Sequence, residues 1–188
     1  MGRTGRSAGL SLTQYYTATT LDGFIAGPDN SLDWLFTRER DEDGPFNYRD
    51  FAADVGAGAM GSTTYEWIVR HGESRADWKW PYEFPCWVFT HRELPVVPDS
   101  GVKLTSADVA AVHAEMVEAA GGRNVWIVGG GDLAGQFADA GLLDEVIVWI
   151  TPVTLGAGAP LLPRRLELRL DDLGRNGDFI AARFGVVR

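Results

Sequence analysis

The segment Asn124-Val125-Trp126-Ile127-Val128-Gly129-Gly130-Gly131-Asp132-Leu133-Ala134-Gly135-Gln136-Phe137 constrains the fold more than any other. Its first half is β-branched and aromatic, the composition of a buried strand. Three glycines follow. Leu133, Gln136, Phe137 and Leu142-Leu143 then carry a helical spacing that runs out near Gly141. A strand that turns through glycines into a helix presents bare backbone N–H groups at the helix N-terminus, where a phosphate is well placed. A lone glycine triplet equally suits a tight turn with no ligand, so its meaning depends on the rest of the chain.

A second strand-to-helix turn has the same character. Ala57-Gly58-Ala59-Met60 reads as a short strand of small residues, and Gly61-Ser62-Thr63-Thr64-Tyr65-Glu66-Trp67 opens a helix with hydroxyls at its N-terminus. A third strand, Trp87 to Thr90, ends in Thr90-His91-Arg92. Leu12 to Thr20 reads as the first strand and runs into turn residues from Asp22 to Asn30. Leu32 to Phe36 reads as an aromatic loop carrying Trp34, and Glu39 to Asp43 as a solvated acidic stretch. Phe46 to Val55 is a short helix with Phe46, Asp50 and Ala53 on one face. Arg70 to Phe84 reads as a loop. Val102 to Leu104 is a short strand. Ser106 caps an amphipathic helix that turns Val109, Val112, Met116 and Ala119 inward and ends at Gly121-Gly122. Glu145 to Thr151 is a long buried strand, and Leu166–Leu170 with Phe179–Val187 forms a terminal hairpin around Asn176-Gly177.

Strands alternate with helices to about residue 151, which predicts a three-layer α/β domain over residues 11–188: a mainly parallel mixed sheet with an antiparallel C-terminal hairpin. In such sheets ligands sit at the carboxyl ends of strands. Three of those ends carry donors, and one ligand spanning them has the size of a nucleotide. The 188 residues suffice for one core, and residues 1–10 read as a flexible tail without a secretory h-region. The net charge of −9 argues against a nucleic-acid partner, and no apolar run approaches a membrane span. The one cysteine, Cys86, allows no intrachain disulfide and suits a reducing cytoplasm. His71, His91 and His113 have no mutual metal spacing, so no metal site is expected. A homodimer is compatible with the sequence, which does not fix the oligomeric state.

The order of these pieces resembles the dihydrofolate reductase-like family, in particular the C-terminal reductase domain of bacterial riboflavin biosynthesis proteins. The residues that carry the resemblance are Thr20-Leu21-Asp22-Gly23-Phe24-Ile25-Ala26-Gly27, Met60 to Glu66, Thr90-His91-Arg92, Val128-Gly129-Gly130-Gly131, and Pro152 to Leu161. They span residues 12 to 187 in the family's order. The resemblance implies an NADPH-dependent reductase of a pterin-like or pyrimidine-like heterocycle. It implies that Ala18 and Ile25 border the nicotinamide and that Gly61, Ser62, Thr63 and Thr64 hold the pyrophosphate. Thr90, His91 and Arg92 would surround the 2′-phosphate, and Val128, Gly129, Gly130, Gly131, Asp132 and Leu133 would wrap the middle of the cofactor. Asp22, Thr151 and Trp34 would lie toward the substrate, with Trp34 on a loop over the nicotinamide.

Two departures stand out. Ser62 occupies a position that is basic in many members. No acid stands where dihydrofolate reductases place their substrate carboxylate; Asp50 is the nearest candidate for a catalytic acid. Two other readings therefore stay open: a nucleotide-binding module without chemistry, and a reductase of an unrelated small heterocycle.

Overall fold

A computed structural model describes residues 11–74 and 76–188. The tail expected over residues 1–10 lies outside the described residues. The chain begins with β1 (Thr13–Thr20) and β2 (Phe24–Ala26), followed by the short helices α1 (Asp33–Phe36) and α2 (Tyr48–Ala53). Next come β3 (Val55–Gly61), α3 (Ser62–Glu73), β4 (Cys86–Phe89), β5 (Val102–Thr105) and α4 (Val109–Ala120). The last elements are β6 (Asn124–Gly129), α5 (Gly131–Asp139), β7 (Glu145–Thr151), β8 (Ala159–Pro160), β9 (Leu168–Asn176) and β10 (Phe179–Val186).

Eight strands form one sheet in the order β5-β4-β3-β6-β1-β7-β10-β9. All pairs from β5 through β7 are parallel, and β10 joins β7 and β9 antiparallel. The three-residue β2 and the two-residue β8 pair separately beside β1. This is the three-layer arrangement with a dihydrofolate reductase-like fold.

Strand alternation sorts the core. Ala57 and Ala59 of β3, Val125 and Ile127 of β6, and Val146 and Val148 of β7 face α4 and α5, packing with Val112, Met116, Leu133 and Phe137. Val55 and Met60 of β3 and Trp126 of β6 face the other way, where Tyr65 of α3 and Phe51 of α2 pack. Cys86 is fully buried in that second cluster, and burial pushes its thiol up to about 12, so it acts as a small hydrophobe.

Several local readings are corrected. Leu32 to Phe36 is not a loop, since α1 occupies most of it, and α3 continues through Arg70 to Glu73 before any loop begins. Asp108, not Ser106, is the N-cap of α4, and Ala120, not Ala119, completes its buried stripe. The hairpin strand β9 starts at Leu168, two residues later than the apolar pattern suggests, and is joined to β10 by Gly177-Asp178.

Candidate functional site

Two helices begin at the carboxyl ends of neighbouring parallel strands. Helix α3 leaves β3 at Gly61, and α5 leaves β6 at Gly130. Each of these glycines is an N-cap, and neither helix has a side-chain cap. The first-turn N–H groups of both helices therefore lack the usual internal acceptor. Both N-termini open on one cleft of about 490 Å³, whose walls include Gly61 to Thr64, Val128 to Leu133, and Ile25. Two helix dipoles thus present their positive ends to the same space.

The glycines divide by what surrounds them. Gly61 and Gly130 have negative φ, −79° and −98°, which any L residue tolerates. A Cβ on Gly61 would meet nothing within 4 Å, and one on Gly130 would meet only Ile25 Cδ1, at 3.8 Å. Neither φ nor packing requires glycine at these positions; what a Cβ would occupy is the cleft itself. Gly131 differs: a Cβ there would collide with the carbonyl oxygens of Pro160 and Leu161.

Asp132 puts a carboxylate in the first turn of α5, on the cleft wall. Hydrogen bonds from Gln136 Nε2 (3.0 Å) and Arg164 (3.0 Å) hold it below its ordinary pKa. Arg164 also reaches Asp139 at 2.8 Å, so the acid is anchored to the outer face of α5.

The cleft opens into a second cavity, a chamber of about 630 Å³. Thr17, Leu32, Thr64, Trp67 and Val128 line both. Aromatic rings dominate the chamber wall: Tyr16, Tyr48, Trp67, Tyr82, Trp126 and Trp149. They brace one another, with Tyr82 edge-on to Trp126 at 5.4 Å and Tyr48 tilted against Trp126 at 5.8 Å. The Tyr16 hydroxyl donates to the Phe46 carbonyl at 3.1 Å. Burial pushes the phenols of Tyr16, Tyr48 and Tyr82 above their ordinary value, so all three are neutral near pH 7. Charge is confined to the segment from Arg40 to Arg49.

The expected cofactor residues Ile25, Gly61 to Thr64 and Val128 to Leu133 come together on the cleft, and Ala18 lies on the chamber side of the junction. Thr90, His91 and Arg92 are not part of the cleft wall; Phe89, just before them, is. Arg92 is held by Glu66 of α3 through two hydrogen bonds, of 3.2 and 2.6 Å, and this pairing lowers the pKa of the Glu66 carboxyl.

The expected substrate residues do not meet at the chamber. Asp50 lines a different groove beneath α2. Its backbone N–H donates to Asn47 Oδ1 (2.8 Å), and Asn47 Nδ2 donates to its carboxylate (3.0 Å), so it closes a helix N-cap. Trp34 is buried under α1 and absent from both cavity walls, while its neighbours Leu32, Leu35 and Phe36 form the chamber wall. Asp22 is exposed and accepts from Thr20 Oγ1 (2.5 Å) and from the backbone N–H groups of Leu155 and Gly156 (3.0 and 2.7 Å), with its pKa lowered first by Thr20. It fastens the β1–β2 turn to the loop after β7. Thr151 is fully buried at the end of β7, outside both walls. The acidic stretch is not merely solvated, because Asp41 and Glu42 border the chamber.

Sequence reasoning missed the chamber. Two of its rings carried a signal: Tyr16 and Trp126 stand two residues before Ala18 and Val128, and in a strand such pairs share a face. Tyr82, in the stretch read as a loop, carried none.

Comparison with known proteins agrees with this geometry. The RibD C-terminal domain family matches residues 61–174. The uncharacterized protein YwjB of Bacillus subtilis is 34% identical over 162 residues, 84% of this chain and 88% of its own. A solved Shewanella sp. PV-4 protein named for riboflavin biosynthesis superposes with a TM-score of 0.79 at 23% identity, covering 94% of this chain and 99% of that one. The Thermotoga maritima diaminohydroxyphosphoribosylaminopyrimidine deaminase/5-amino-6-(5-phosphoribosylamino)uracil reductase superposes with a TM-score of 0.63 at 14% identity, covering 94% of this chain and 57% of that one. At these identities the two structures establish a shared fold, and the family match with its 34%-identical relative establishes kinship: the chain belongs to the RibD C-terminal domain family.

Proposed function

We propose that this chain is a reductase that uses NADPH to reduce a flat heterocycle of pyrimidine or pterin type. One observation carries the reading. Two uncapped helix N-termini face one cleft, and the glycine at each leaves room for an occupant rather than for the protein's own atoms. That is the donor set and the clearance a pyrophosphate requires. NADPH, when bound, supplies the hydride. The residues of this chain supply position. The backbone N–H groups that follow Gly61 and Gly130 hold the phosphates. Ile25 and Ala18 flank the nicotinamide near the junction of cleft and chamber. The aromatic walls present the acceptor ring there and exclude water. Arg92, whose guanidinium is held by Glu66, is the cation that would turn to the 2′-phosphate. With the chamber tyrosines neutral and Asp50 committed to its cap, an ordered water delivers the proton.

Titration calorimetry with NADPH, followed by reduced-nicotinamide absorbance against a panel of pyrimidines and pterins, tests the reading. Binding together with oxidation by at least one acceptor is expected; absence of NADPH binding would overturn it. A nucleotide-binding module without chemistry is the second reading, favoured by the position of Asp50, the one acid expected to be catalytic, in a groove other than the chamber. NADPH binding with no turnover on any acceptor would support it instead.

A further inference from the structure

The chamber and the cleft treat anions in opposite ways, and this bears on what the chamber accepts. Helix α2 borders the chamber through Tyr48, but its N-terminus is closed by its own Asn47 side chain. That cap takes up the Asp50 N–H, so this helix start keeps fewer free donors for a phosphate than either cleft helix. The chamber's two cations stand among carboxylates. Arg49 is paired with Asp43 at 2.7 Å and lies 3.6 Å from Asp50. Arg40 is followed directly by Asp41 and Glu42, which share the chamber wall with it. Arg40 and Arg49 thus share the chamber wall with Asp41 and Glu42, and Asp43 already neutralises Arg49, so carboxylates outnumber guanidinium groups by three to two. The chain as a whole carries −9, so no distant charge reverses that balance. The inner surface is aromatic, and its phenols are uncharged.

We infer that the chamber selects a flat ring without a phosphate or other anionic arm, and discriminates against the phosphorylated form of the same ring. The inference rests on reading the chamber as the substrate side of the junction. A stacked neutral ring gains the full contact of the aromatic walls. A phosphate carries a charge of about −1.5 to −2 near neutral pH. At the chamber mouth it meets Asp41 and Glu42, with Arg49 already paired to Asp43 and the α2 start partly capped.

The test uses tryptophan fluorescence and calorimetry on the full chain without cofactor. The probes are uridine against uridine 5′-monophosphate and riboflavin against riboflavin 5′-phosphate. The unphosphorylated member of each pair is expected to bind about tenfold or more tightly, the size of one like-charge contact near a protein surface. In the Asp41→Asn/Glu42→Gln double variant the gap should shrink through tighter binding of the phosphorylated probes, with the neutral probes unchanged. Equal or tighter binding of the phosphorylated members, an unchanged gap in the double variant, or binding of no probe would overturn the inference. A parallel NADPH titration separates the two claims. If NADPH binds while the probes fail to discriminate, the reductase reading survives and the selectivity falls. If the probes discriminate while NADPH does not bind, the reverse holds.

Discussion

The cleft and the chamber share a border, yet they are built from different material. The cleft is made of backbone and small residues, taken mainly from two contiguous strand-to-helix turns, Gly61–Thr64 and Val128–Leu133. The chamber is made of large side chains drawn from nine separate stretches of chain between Tyr16 and Phe179. A backbone site is fixed by the fold and can be spoiled only by adding atoms. A side-chain site can be respecified by substitution while the fold persists. On the function proposed above, cofactor binding rests on the cleft and the choice of substrate on the chamber.

The sharpest way to break this contrast is to add atoms to the cleft. Gly130→Val should keep a near-native melting temperature and weaken NADPH by about 100-fold or more, the loss expected when a pyrophosphate is shut out of its charge-assisted donors. Gly131→Ala, one residue on, should instead destabilise the protein by about 1–3 kcal/mol through overpacking against residues 160 and 161. Thermal melts beside titrations read both; like behaviour of the two variants would erase the distinction between cleft glycine and packing glycine.

Arg92→Ala comes next. Loss of a charge-assisted phosphate pair costs about 1.5–3 kcal/mol, so NADPH should weaken roughly 10- to 150-fold while NADH is nearly unaffected. Equal changes for the two cofactors would show that the 2′-phosphate is not read there.

On the chamber side, Tyr48 is 47% exposed and can be trimmed without opening the core. Tyr48→Ala should weaken a stacking heterocycle by about 0.5–1.5 kcal/mol, several-fold in affinity, and leave NADPH binding unchanged. A joint loss would mean that the two cavities are not separable.

The smallest effect is expected at Asp50. Asp50→Asn should leave turnover unchanged and cost about 1 kcal/mol or less of stability, because it perturbs a helix cap outside the chamber. A fall in rate of about 100-fold, typical of a lost acid–base group, would restore Asp50 to the chemistry.

This contrast also explains what the sequence could disclose. The cleft was legible because its parts are local: β-branched residues, then glycine, then a helix, twice over. Strand β7 was legible for the same reason, as an unbroken apolar run from Val146 to Ile150. The chamber required tertiary assembly, and neither periodicity nor spacing connects Tyr82 with Trp149. At Asp50, counting along the chain found a carboxylate but not its bond to Asn47. The pattern of a cap residue followed three positions later by an acid is itself a helix-start signal and accounts for Asp50 without a substrate. Trp34 shows the opposite error: an aromatic in an irregular segment was set over the ligand, whereas burying the indole under α1 turns its smaller neighbours to the wall.

Gly131 has one further consequence. Its missing side chain is the gap into which the backbone at Pro160 and Leu161 descends, so the start of α5 and the segment around β8 fit as plug and socket. Anyone grafting this cleft into another scaffold, or shuffling it between relatives, must move residues 129–133 and 158–161 as one cassette. A crossover between the two that brings in a bulkier residue at 131 would produce a hybrid whose pieces are each sound and whose seam does not close.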